Sequence, residues 1–397
     1  MLTEHFFDFL LEFGDEWIVK EVTPSAETDE VEIHVEYFGE AKPYDYAPVR
    51  RWRHLDTMQF KTFIKARLPR FKSADGKVKT LCPPWADTHE RHSFLFECAV
   101  IDLLLATQNQ TQTAQLMGCT FDVVNRIMHQ ASQRGLERRQ ANPEVFEHLS
   151  LDEKSFQKGH NYVSVLSHPQ SDRVLEVVAE RTKKACQKLI GETLSAEQKA
   201  HVQTISMDMW PAFIATAQEQ LPAAQIVHDK FHLIQYLNQA IDKVRRREVK
   251  KHQELKHSRY VLLKNEENLT AKQKIKFDQI QQANFEVSRA WQARENFKAV
   301  FKNSTLPESQ AIYEQWHQAV QDSGIKEVIK VAQMFSNHLA GVLQAMTSTL
   351  SNARAERLNG KIQLLKSIAR GYRTFENFRS AILFFYGKLD LSPLNYR

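Results

Sequence analysis

The chain has 397 residues, enough for two or three domains and at least one large core. Its composition, 42% hydrophobic and 25% charged with 12 glycines and 12 prolines, argues against long disordered linkers, and no run approaches the roughly 18 apolar residues that span a membrane. The net charge of +5 is a mild basic excess, so the placement of the cations carries more meaning than their sum.

The first segment, MLTEHFFDFLLEF, is apolar but carries Glu4, Asp8 and Glu12 and no basic start. It reads as an amphipathic helix and not as a signal peptide. Residues 16 to 38 read as two strands, because VEIHVEYF alternates with period two. RRWRHLD and QFKTFIKARLPRF continue a small basic β-rich region, whose cations face either phosphates or solvent. The first module is expected over residues 1–90. Four cysteines, Cys82, Cys98, Cys119 and Cys186, are widely spaced and form no CxxC pair, which suits a reducing cytoplasm.

Over residues 91–140 the period changes. FLFECAVIDLLLATQ is an apolar helix, and the segment after it reads as helix, tight turn, helix. Thr111 or Gln112 opens the first of this pair, Gly118 permits the turn, and Thr120 caps the second. Val123, Val124, Ile127 and Met128 form its inner face. Asn125, Arg126 and Gln130 lie elsewhere on it, where a helix-turn-helix would present side chains to the major groove of DNA. Many paired helices of this shape bind nothing, so the alternative is a purely structural hairpin.

Residues 145–245 give the element order βββαβαβα, which predicts a mixed sheet covered by helices. Pro211 falls at a first helical turn, where its missing N–H costs nothing. Residues 246–345 read as an all-helical block. Its aromatics at helical spacing, among them Phe277, Trp291, Phe297, Tyr313 and Trp316, are expected in a core. In the last segment, 346–397, Ser351 or Asn352 caps a helix striped by Leu358, Ile362, Leu365 and Ala369, and FENFRSAILFFYGKL closes the chain as a second helix.

Three acids stand in unusual places. Asp152 lies on the first strand of the mixed sheet, Asp208 ends the apolar strand VQTISM, and Glu356 projects from a distant helix. Two strand carboxylates and one helical carboxylate supply the oxygen ligands that hard cations require. Each acid also has an ordinary explanation. Asp152 suits a turn, with Glu153 beside it as the alternative ligand. Asp208 suits a helix cap. Glu356 suits an ion pair on a solvated face.

The segments SLDEKSFQKGHNYVSVL, VQTISMDMWPAF, IVHDKFHLIQYLNQAIDKVRRR and SNARAERLNGKIQLLKSIARGYRTFENFR resemble, in that order, the ISL-three family of bacterial insertion-sequence transposases. The likeness runs from about residue 50 to the end. It implies a multidomain α+β protein: a β-rich module, a helix-turn-helix, and an RNase H-like mixed-sheet core flanked by helices and interrupted by the helical insertion. It implies DDE chemistry, with Asp152, Asp208 and Glu356 holding two Mg²⁺ or Mn²⁺ ions and Asp229 and His232 in support. The implied partner is double-stranded DNA, both terminal inverted repeats and target, bound by a homodimer or larger assembly. Arg245, Arg246, Arg247, Lys250 and Lys251, with Lys361, Arg370 and Arg373, are expected to hold phosphates. The family's zinc-binding cysteine pairs are missing here, where the chain reads GEAKPYDY and FKSADGKVK, so no zinc is expected in the N-terminal module. A transposase-derived DNA-binding protein, or a nuclease without strand transfer, is the alternative.

Overall fold

The computed structural model describes residues 3–157, 161–301, 305–347 and 353–393. The chain forms two compact units, one from residues 1–142 with 365–397 and one from 143–364.

The first unit opens with α1 (Thr3–Leu11), which buries Phe7 while Asp8 Oδ1 accepts a hydrogen bond from the Val19 amide at 3.0 Å. Seven strands follow: β1 (Trp17–Ser25), β2 (Glu30–Tyr37), β3 (Asp45–Tyr46), β4 (Arg50–Arg53), β5 (Lys61–Ala66), β6 (Pro69–Lys72) and β7 (Val78–Thr80). They make a four-stranded sheet in the order β1-β2-β5-β4 and a three-stranded sheet in the order β3-β6-β7. Alternation decides which face is covered: Val31, Ile33 and Val35 are buried on β2, and Trp17 and Trp52 pack edge-on against Trp85. The arginines of β4 are used within the fold. Arg51 pairs with Glu32 at 3.1 Å and lies over the Phe63 ring, and Arg53 pairs with Asp56.

Three helices complete this stretch: α2 (Phe94–Thr107), α3 (Gln110–Leu116) and α4 (Phe121–Ala141). The α3 cap is Asn109, whose side chain accepts from the Gln112 amide at 3.0 Å; this corrects the expected start at Thr111 or Gln112. The chain leaves α2 through a left-handed Gln108, so the free side chain nearest the new helix belongs to Asn109, and an Asn oxygen is the better cap. Gly118 takes φ +57, and Thr120 caps α4. Val124, Ile127 and Met128 are buried, with Val123 partly so.

The second unit carries the mixed sheet. Its elements are β8 (His148–Gln157), β9 (Asn161–His168), β10 (Arg173–Ala179), α5 (Lys183–Thr193), α6 (Ala196–His201), β11 (Thr204–Met207), α7 (Pro211–Gln220), β12 (Gln225–His228) and α8 (Lys230–Glu248). The short α6 is an addition to the expected order; Ser195 and Gln198 give it a capping box. The sheet order is β10-β9-β8-β11-β12. β8, β9 and β10 form an antiparallel meander, and β11 and β12 run parallel to β8.

The remaining helices are α9 (Arg259–Leu263), α10 (Ala271–Gln282), α11 (Glu286–Val300), α12 (Leu306–Asp322), α13 (Lys326–Asn337), α14 (Leu339–Thr347) and α15 (Ala353–Ile368). Their aromatics are core residues: Phe297 packs against Trp316 at 4.7 Å and Phe335 at 5.0 Å between ring centres. These side chains join the same hydrophobic cluster as Leu151, Ile205 and Met207 of the sheet. Ser351 and Asn352, the expected caps of α15, lie outside the described residues. Leu358, Ile362 and Leu365 are buried as a stripe. Ala369 is not part of it: the helix ends at Ile368, and Ala369 is exposed. The reason is a left-handed stop, in which Arg370 takes φ +53 and the Gly371 amide reaches back to the Lys366 carbonyl at 2.8 Å.

The last helix, α16 (Phe375–Tyr386), returns to the first unit and packs on α4. There the His129 ring bridges Asn377 Oδ1 and Ser380 Oγ, each at 2.8 Å.

Candidate active site

The register of three adjacent parallel strands creates the site. Leu151 on β8 pairs with Met207 on β11, and Met207 pairs with His228 on β12. One residue beyond this row stand Asp152, Asp208 and Asp229. Parallel strands in register therefore bring the three acids to one level of the sheet, just past the carboxyl ends of β11 and β12 and midway along the longer β8, the side on which open sheets of this kind bind ligands.

Each acid has defined partners. Asp152 Oδ2 accepts from the Asn359 amide of α15 and from Lys154 Nζ at 2.9 Å. Asp208 accepts from the Tyr236 hydroxyl at 2.9 and 3.1 Å on its two oxygens, and its Oδ1 takes the Met209 amide at 2.7 Å. It does not cap α7, whose cap position is Trp210 with no side-chain bond. Asp229 caps α8 by accepting from the Phe231 amide at 2.8 Å. That cap sets the start of α8 and so the direction of His232. The His232 ring stands between the two strand acids, with Nε2 at 4.0 Å from Asp152 Oδ1 and Nδ1 at 3.8 Å from Asp208 Oδ2.

Glu356 belongs to the same electrostatic group. Burial raises its pKa first, and the carboxylates of Asp229 and Asp152 raise it further against the opposing influence of His232. The Tyr236 hydroxyl is pushed up by burial and then by Asp208, so it stays a donor to that carboxylate. Glu153 forms an ion pair with Arg181 at 2.6 Å. Arg181 is stacked between Tyr162 and Trp210, 4.2 Å from each ring centre. Sequence reasoning missed Lys154, Tyr236, Arg181 and Asn359. Only Asn359 left a trace there, one helical turn from Glu356.

The donor chemistry of Asp152, Asp208 and Glu356 is oxygen throughout, which fits a hard divalent cation. The acids already collect cationic and donor groups, as Lys154, Asn359 and His232 show. Among the described residues no three His, Cys, Asp or Glu side chains are grouped to hold an ion as they stand.

The other expected site residues are placed as follows. Asn125, Arg126 and Gln130 lie on α4; Gln130 donates to Glu90 at 2.6 Å, and Arg126 stands 3.6 Å from the same carboxylate. Arg245 and Arg246 both pair with the buried Asp242, at 2.7 and 2.8 Å. Arg247 joins Glu286 and Glu327 across three helices. Lys361 pairs with Asp172 at 2.6 Å. Lys250 follows the end of α8, and Arg370 and Arg373 are exposed beyond α15.

A transposase family model of the DDE type, ISL3 group, matches residues 149–382. The chain belongs to this family. It is 28% identical over 240 residues to the transposase for insertion sequence element IS1001 of Bordetella parapertussis, a match covering 58% of this chain and 59% of that protein. It is 27% identical over 358 residues to the transposase for insertion sequence element IS1557 of Mycobacterium tuberculosis, covering 83% of this chain and 79% of the relative. Among solved structures, the pre-cleavage Mos1 transpososome is similar at a TM-score of 0.18 and 11% identity, over 57% of this chain and 78% of the Mos1 chain. No helix among the described residues is long and apolar enough to cross a membrane.

Proposed function

We propose that the protein is the transposase of an insertion sequence, which binds terminal inverted repeats in double-stranded DNA, cleaves the ends and transfers them to target DNA. The observation that carries this reading is the row Asp152, Asp208, Asp229 across three adjacent strands, with His232 between the first two acids and the Glu356 pKa raised by burial and by the charges of Asp229 and Asp152. The strand order β10-β9-β8-β11-β12 supports an RNase H-like core. The family match over residues 149–382 supports the DDE assignment.

In this reading Asp152, Asp208 and Glu356 hold two Mg²⁺ or Mn²⁺ ions, which would polarise the scissile phosphate and activate the attacking water or 3′-hydroxyl. The chain's own groups set the geometry. Tyr236 fixes the Asp208 carboxylate through both oxygens. Asn359 turns Asp152 toward the helix that bears Glu356. Asp229 sets the start of α8, and His232 spans the two strand acids. The helix-turn-helix of α3 and α4 reads the repeats. Lys250, Arg370 and Arg373 hold phosphates, and Arg245, Arg246 and Arg247 also serve the fold through their ion pairs. The domain reading of a β-rich module, helix-turn-helix, split core and helical insertion is part of the same proposal, as is a dimer or larger assembly on DNA.

A second reading, DNA binding without catalysis, draws on the same acid. Asp152 is already satisfied by Lys154 and Asn359, and the described residues offer no ready metal cluster. The deciding test uses labelled DNA carrying the element's ends, with Mg²⁺ or Mn²⁺, and compares wild type with Asp208→Asn. The transposase reading expects wild type to cut and the variant to bind without cutting. Binding without cutting by both, in either metal, would sink it and leave the second reading.

A further inference from the structure

The first unit contains a cavity of about 690 Å³ beside the helix-turn-helix, within the size range of small-ligand sites. It lies between the α2–α3 loop, the start of α4 and the turn that joins α15 to α16. Its described lining holds no acidic residue and two arginines, Arg370 and Arg373. Amides are concentrated there: Gln108, Asn109, Gln110, Asn125 and Asn377 all reach its wall. Asn125 Oδ1 is buried without a hydrogen-bond partner. Phe121, about half exposed, and Phe385 add aromatic surface.

These properties select a ligand class. A site with a positive rim and no carboxylate favours an anion. Side-chain amides pair with the donor and acceptor edges of a base, and exposed aromatic rings stack on its face. An intact duplex offers neither a free base face nor a free Watson–Crick edge; an unpaired nucleotide offers both. The turn that carries Arg370 is held by its left-handed backbone and by the Gly371 amide on Lys366. The guanidinium groups are therefore carried on a defined scaffold beside the amide wall.

We propose that this cavity is a nucleotide pocket, which receives an unpaired deoxynucleotide of the DNA held by the helix-turn-helix. The base would lie against Phe121 with its edge toward Gln108 and Asn125, and its phosphate toward Arg370 and Arg373. The inference rests on the DNA-binding reading of α3 and α4 and adds a structural preference to it: end-proximal DNA with a free nucleotide is held better than closed duplex.

The test is equilibrium binding of the full chain to a short blunt duplex and to the same duplex carrying a single-stranded tail, with 2-aminopurine at successive tail positions. The expected result is about tenfold tighter binding of the tailed DNA, the range that one base stacked on an aromatic ring provides, and quenching at one tail position. Gln108→Ala, in the loop between α2 and α3, should lose the preference and the quench while blunt-duplex binding persists; Phe121→Ala, on the helix-turn-helix itself, should lose the ratio of tailed to blunt affinity whatever its effect on blunt duplex. Equal binding of tailed and blunt DNA overturns the proposal and leaves the helix-turn-helix reading standing. Retention of the preference in both variants overturns it as well. If neither DNA binds, the proposal falls together with the DNA-binding reading.

Discussion

Asn359 donates its side-chain amide to Asp152, across 207 positions of sequence. This one bond fastens the helix that bears Glu356 to the strand that bears the first acid. Asn359 and Glu356 are one turn apart, so they share a helix face. Asp172 adds to the fastening by pairing with Lys361 of the same helix at 2.6 Å. Asn359→Ala should cost about 1 kcal/mol, below the usual range of about 1.5–3 kcal/mol for a bond to a charged group, because the site is partly solvated. Asn359→Asp should cost more, since it sets a second carboxylate against Asp152. Urea denaturation of the metal-free chain separates the two; equal losses would show that the bond carries no charge dependence.

Glu356 makes stability depend on pH in a defined direction. Its pKa is raised by burial and by Asp229 and Asp152 above the ordinary 4.5. A carboxyl with a raised folded-state pKa is tolerated while protonated and penalised once ionised. Its contribution is thus present below 4.5 and lost as pH rises through the folded value. Glu356→Gln should match wild type in acid and melt higher than wild type at neutral pH. Thermal melts across this pH range would show it, and a constant difference at every pH would contradict it.

Gly341 on α14 packs against the end of β12. A Cβ there would stand 2.7 Å from His228 Cδ2 and 3.2 Å from the Ile226 carbonyl. His228 is buried, and burial lowers its pKa to about 4, so a neutral ring fills this contact. Gly341→Ala gains about 1 kcal/mol of helix propensity but overpacks the core by about 1–3 kcal/mol. Because both near atoms belong to the strand that leads into Asp229, the clash should prevail. A net loss of about 1 kcal/mol in chemical denaturation is expected; a stabilised variant would mean that α14 can move off the strand.

The basic segment at the end of α8 should divide into two kinds of residue. Arg247, bound to Glu286 and Glu327, serves the fold: Arg247→Met should lower stability by about 1 kcal/mol and leave the salt dependence of DNA binding unchanged. Lys250→Ala should leave stability unchanged and reduce the slope of log affinity against log salt by about 1, the value for one phosphate contact. Denaturation and salt-titrated binding of both variants check this pair, and the reverse pattern would refute the division.

The sequence by itself determined most of the elements and their order, the short α6 being an exception. Period-two runs such as VEIHVEYF, caps such as Thr120 and the strand end at Asp208 are local signals, because they depend on neighbours a few residues away. The aromatics of the helical block were legible as core for the same reason. Cap choice at Asn109 and the stop before Ala369 were less legible, since left-handed residues at Gln108 and Arg370 decide them and neither is a glycine. Only the tertiary structure decided the partners. Register placed Asp152, Asp208 and Asp229 in one row, and no local pattern encodes which strands lie side by side. Packing brought Tyr236 to Asp208 and Asn359 to Asp152. It also set Arg245, Arg246 and Arg247 in ion pairs, because a cation's partner is set by which acid the fold brings within a few ångströms.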